Sequence, residues 1–208
     1  MKVTQLLAAA LGRKDEQPNI ELAEQIVAQS DHVAIEELIL TLADRKLQND
    51  CIKVLYEIGA RAPELIAPHL STFADLLKHK NNRLIWGAMI AIDSLAHTIP
   101  QEVAENLLAI VDATDAGSVI TKDHGVGILA KMSCMNSHSS TSWPLLLEQL
   151  RKCVPKQLPM YAEKSMVAVS AGNKAEFGAI LQNRLPELEK ASQVKRIEKV
   201  MRKLEKLQ

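Results

Sequence analysis

Residues 63–97 read PELIAPHLSTFADLLKHKNNRLIWGAMIAIDSLAH. Two apolar runs with helical spacing, HLSTFADLLK and IWGAMIAIDSLA, flank a polar break at Lys80, Asn81 and Asn82. The second run holds Gly87, Ala88 and Ala91 among branched apolar residues. A glycine inside a helix costs roughly 1 kcal/mol relative to alanine. A helix that keeps one there needs a neighbour's backbone close by. The stretch therefore predicts two helices joined by a tight turn, the second packed closely against another helix.

The pattern extends in both directions. ELAEQIVAQ, VAIEELILTLA and CIKVLYEIGA precede it; EVAENLLAIV, PLLLEQLRKCV and VKRIEKVMRKLEKL follow. Punctuators separate them: QPN at 17–19, QSDH at 29–32, Pro63, Pro100, DAGS at 115–118 and SHSSTSWP at 137–144. No segment reads as a strand. Ile92 is preceded at four and three residues by Ala88 and Met89. Ile26, Ile58, Leu129 and Val169 have small or apolar residues at the same offsets. These five anchors are 32, 34, 37 and 40 residues apart. One helix pair cannot bury its apolar face alone, whereas stacked pairs bury a continuous core. The expected fold is all-α: a superhelix of about five helix pairs in one domain, with units at 20–47, 48–80, 81–117, 118–155 and 156–191. A short N-terminal helix with Thr4 as N-cap and Gly12 as its stop precedes them, and a capping helix at 192–208 follows.

Composition agrees. Of 208 residues, 47% are hydrophobic and 24% charged, but only 3% are aromatic, so Leu, Ala and Ile supply the core. No apolar run reaches the roughly 20 residues that span a bilayer. The odd number of cysteines, Cys51, Cys134 and Cys153 with no CxxC, fits a reduced, cytoplasmic setting. Net charge is zero but uneven: −4 over residues 1–50, −3 over 51–150 and +7 over 151–208.

The 63–97 stretch resembles a HEAT-repeat junction, of the ARM-like α-solenoid class. The resemblance rests on the P-x-L opening a second helix, the LLK closing it, the Asn pair in the turn and the A-M-x-A-I run. It is strongest over 46–112 and weaker in the flanking units. The arginine often found early in the first helix is missing, and the serine-rich stretch at 137–142 reads as a longer loop than usual. The family implies an architecture whose second helices line a concave, partner-binding face, and it carries no catalytic signature.

Chemistry-bearing residues are few. Trp86 reads as core filling beside Gly87 rather than as an interface anchor. Trp143, ahead of Pro144, reads as a staple on the following helix. Cys134 and His138 are four apart, but no second pair completes a metal site. Asp93 reads as the partner of a backbone group or a cation. No nucleophilic triad or paired-carboxylate spacing is evident. The basic C-terminal helix reads as a solvated cap.

The expected function is non-enzymatic macromolecular recognition, a scaffold taking a protein or peptide on second-helix polar positions, without cofactor or metal. The positions are Thr72 and Asp75, Glu105 and Asn106, and Gln149 and Lys152, flanking the apolar Leu70, Leu76, Leu77, Leu107, Leu108, Leu146 and Leu150. Two alternatives come from the resemblance. A HEAT-like alkylbase DNA glycosylase would need Trp86, Asp93, Trp143 and Arg151 in a basic groove, which neutral net charge disfavours. A HEAT-like lyase or cofactor chaperone would need a deep apolar pocket.

Overall fold

A computed structural model describes residues 2–207. The α-helices are α1 (Gln17–Gln29), α2 (His32–Thr41), α3 (Gln48–Arg61), α4 (Pro63–Ile66), α5 (Leu70–Leu76), α6 (Asn82–Leu95), α7 (Pro100–Glu105), α8 (Leu107–Ala116), α9 (Val119–Ser133), α10 (Asn136–Lys152), α11 (Leu158–Ser165), α12 (Lys174–Arg184) and α13 (Ala191–Glu205). Among the described residues there is no strand. Two compact units are present, one reaching Gly125 and one beginning at Val126.

In the first unit, α1, α3 and α6 are successive first helices, with α3 packed against both α1 and α6. Their partners are α2, the α4–α5 pair and the α7–α8 pair. The α4–α5 partner is bent by a 3-10 turn at Ala67–His69, where Pro68 has no N–H to give an α-helical ladder. The α7–α8 partner breaks at Asn106, whose side-chain amide donates to the Glu102 carbonyl at 2.9 Å. The anchors Ile26, Ile58 and Ile92 are buried with Ile35, Leu38, Leu55, Phe73 and Met89.

Small residues set how closely these helices approach. A Cβ on Gly87 would lie 2.6 Å from Ile52 Cγ1 of α3, so Ile52, not Trp86, fills that space. Gly125 is tighter still: a Cβ there would overlap the Thr114 hydroxyl.

In the second unit, Leu129, Leu146, Leu150, Tyr161, Phe177, Leu181 and Ile197 form the core. The buried Arg184 guanidinium donates to the Leu150 carbonyl at 2.7 Å, closing the C-terminal end of α10, and also pairs with Glu187. Against the apolar stripe of α13, Ile197, Val200 and Leu204, the opposite face is polar and exposed.

Several expectations are corrected. The short N-terminal helix is a 3-10 turn, Val3–Leu6. Thr4 does not cap it; its hydroxyl donates to Glu37 at 2.9 Å, and Ala8 N–H donates to the buried Asn19 at 3.0 Å. Gly12 does end the segment in left-handed backbone, φ +69. The serine-rich 137–142 stretch is not a loop but the start of α10. Two of its hydroxyls donate to carbonyls one turn back, Ser142 to His138 at 2.9 Å and Ser139 to Asn136 at 3.4 Å, and Ser133 of α9 donates to Ser142 at 3.1 Å. Val169 lies past α11 in extended backbone. Leu108 is 80% exposed, so it is not a core position.

Candidate functional surface

The second helices of the first unit form the candidate recognition layer. Helix α2 carries Glu36 and Glu37; the α4–α5 pair carries Glu64 and Asp75; the α7–α8 pair carries Glu102, Glu105, Asp112 and Asp115. None of these segments contains Lys or Arg. Their only basic-capable side chains are His32 on α2 and His69 in the 3-10 turn, the latter 3.5 Å from Glu36. A groove of about 530 Å³ runs between the α4–α5 pair and α7. Ala67, Pro68, Leu70 and Ile99 give it an apolar floor, and Glu64, Ser71, Glu102 and Asn106 give it polar edges. Val33, Leu40 and Leu108 are exposed apolar side chains on the same set of helices, at 80%, 76% and 80%.

The positions expected from sequence fall unevenly. Asp75 and Glu105 are exposed; Thr72 and Asn106 are half-buried, and Asn106 lines the groove. In the second unit Lys152 is exposed, but Gln149 is only 5% exposed and is removed from the set: it faces the packed side of α10 with Leu146 and Leu150. Sequence reading missed Glu64 and Glu102. Their signal was the lack of any cation on three successive second helices, visible only once the helix boundaries are known.

The first helices carry a different arrangement. Lys53 is almost fully enclosed, with Nζ 2.7 Å from Glu57 and 3.1 Å from Glu16, and it sits 4.9 Å from the centre of the Tyr56 ring. Arg83 also pairs with Glu16 and lies over Trp86 at 5.3 Å. The Trp86 and Tyr56 rings are 5.8 Å apart and tilted. Arg61 adds pairs to Glu57 at 2.5 Å and Glu24 at 3.2 Å. Trp86 is thus half-buried, packed between the buried Tyr56 ring and the Arg83 guanidinium rather than fully inside the core. Burial pushes the Glu16 and Glu57 carboxyls up, but hydrogen bonds outweigh it and leave both below their ordinary value. Those bonds come from Arg83 and Lys53 at Glu16, and from Lys53 and Arg61 at Glu57.

About two turns beyond Trp86 along α6, Asp93 Oδ2 meets His124 Nδ1 at 2.7 Å. The carboxylate does have a cation-capable neighbour. In the second unit, Trp143 lies against Phe177 of α12, ring centres 6.2 Å apart. Among the described residues, no group of three His, Cys, Asp or Glu side chains could hold a metal, and no helix is long and apolar enough to cross a membrane. Burial drives the Cys51 thiol up to about 12.

No protein-family model matches the chain, and no curated protein matches its sequence. Solved structures do. A designed armadillo repeat protein in complex with the peptide (KR)4 is 17% identical, covering 97% of this chain and 100% of that one, with a TM-score of 0.63. Armadillo repeat proteins computationally designed for modular peptide recognition give 18% identity, 97% and 90% coverage and a TM-score of 0.67. An engineered protein gives 15% identity, 99% and 98% coverage and a TM-score of 0.67. At these identities the likeness is one of fold, and it agrees with the helix pairs and small-residue contacts described above. The chain has the all-helical superhelix fold of armadillo and HEAT-type repeats.

Proposed function

We propose that the protein is a non-enzymatic recognition scaffold that takes a basic, extended segment of another protein on the second-helix layer of its first unit. The observation that carries this reading is the run of carboxylates on α2, α4–α5 and α7–α8 without a single Lys or Arg. A partner rich in Lys and Arg relieves the repulsion within that layer, and its aliphatic stems suit the apolar floor beneath Glu64 and Glu102. The dimensions agree. Eight extended residues span about 26 Å, and three neighbouring helices at 8–10 Å spacing present a surface of about that width. The (KR)4 peptide of the designed neighbour has the same character. A phosphate backbone is the wrong charge for this layer.

The test is fluorescence anisotropy with labelled (KR)4 peptide at low salt. Binding is expected, weakening as salt is added. Glu64→Gln combined with Glu102→Gln should weaken it about 10-fold or more, near 1.4 kcal/mol. Equal binding of a neutral peptide of the same length, or no binding of (KR)4 at low salt, sinks the reading.

A further inference from the structure

The two units carry opposite charge. Residues 1–125 hold 11 basic and 18 acidic residues, a net −7, and residues 126–208 hold 14 and 7, a net +7. Much of the positive excess lies on α13. One cation there, Arg196, is paired bidentately with Glu163 of α11 at 2.9 and 2.6 Å. Lys195, Lys199, Arg202 and Lys206 recur at steps of four, three and four residues, so they form one exposed stripe opposite Ile197, Val200 and Leu204.

We infer that the α13 stripe of one copy docks on the acidic second-helix layer of another copy, head to tail, and so masks that layer until a partner's basic segment displaces it. Charge complementarity selects the occupant. The stripe from Lys195 to Lys206 is about 17 Å long at 1.5 Å per residue. The axes of three adjacent second helices span about 16–20 Å. Zero net charge leaves no overall repulsion between copies, while the separated excesses attract. A polyanion is a poorer fit, because Glu198 and Glu205 interrupt the cations and the first unit repels it. The two patches differ, so the contact is heterologous and each copy keeps a free patch for the next. The inference rests on the acidic layer being a receptor for cations, as proposed above.

Sedimentation velocity of the full chain decides it. In about 20 mM salt the weight-average mass should rise with concentration above the 22.9 kDa monomer, and about 500 mM salt should return it to monomer. Lys195→Glu with Arg202→Glu should stay monomeric yet still bind (KR)4. Asp75→Lys with Glu105→Lys, both at helix C-terminal turns that accept cations, should stay monomeric and lose the peptide. An equimolar mixture of the two double variants should associate again. A wild-type chain that remains at 22.9 kDa at low salt overturns the inference, as does association that survives the α13 reversal. So does a monomer whose stripe instead retains duplex DNA. Self-association without (KR)4 binding would sink the peptide reading and leave the contact between copies standing, without its displacement by a basic segment.

Discussion

At the scale of the residue, the structure ranks side chains differently from their types. Lys53 is only 8% exposed but has two carboxylates and a ring face around it, so its charge is favoured despite burial. Glu16 and Glu57 titrate below their ordinary 4.5, so the unfolded chain binds more protons than the native one in that range. The stability they contribute is present above about pH 4.5 and is lost as pH falls through their native values. Thermal unfolding followed from pH 7 to pH 3 should therefore steepen below about 4.5, and less so in Glu16→Gln with Glu57→Gln. Gly125→Ala should lower stability by about 1–3 kcal/mol, read as a shifted urea midpoint. Thr114 is fully buried and bonded to the Ile110 carbonyl at 2.7 Å, so it has no room to retreat. Alkylation at pH 8 should label the exposed Cys134 and spare Cys51 until the protein unfolds.

At the scale of the element, α13 separates packing from charge most cleanly. Ile197→Ala should cost about 2–4 kcal/mol in chemical unfolding, whereas Lys199→Ala should change it by less than about 0.5 kcal/mol. Its apolar stripe was plain in the sequence, as were α1, α3 and α6, because uninterrupted 3.6-residue periodicity with small residues at the contact admits one reading. The serine-rich start of α10 was not. Serine competes for backbone groups and reads as loop; here the Ser139 and Ser142 hydroxyls donate to carbonyls one turn back, which spacing alone does not reveal. Trp86 was misjudged for a related reason. Periodicity placed it on the packed side of α6, but Ile52 already occupied the space beside Gly87, and the indole turned outward to Tyr56 and Arg83. Of the candidate surface, Asp75 and Glu105 were legible as polar flanks of leucine runs, whereas the groove edge of Glu64 and Glu102 depended on a bend at Pro68.

At the scale of the whole molecule, balance between two charged units is the dominant fact. With a sequence pI of about 7.0, attraction between copies should be strongest near neutral pH. Static light scattering should give its most negative second virial coefficient there, rising with salt and toward either pH extreme. The repeat fold itself was readable from the spacing of five anchors, but the division at Gly125 was not, since α9 runs through it without a break.

Helical-repeat stacks ordinarily behave as one-dimensional chains, each repeat coupled to its immediate neighbours and free to fray from the ends. Glu16 does not respect that rule. Standing at the start of α1, it holds Lys53 of the next first helix and Arg83 of the one after. One carboxylate thus supplies a next-nearest-neighbour term, linking residues 67 positions apart in sequence. The carboxylate thereby ties the first of these repeats to the two that follow it. In hydrogen exchange the amides of α1 should open together with those of α3 and α6 rather than ahead of them, and Glu16→Ala should set α1 exchanging first.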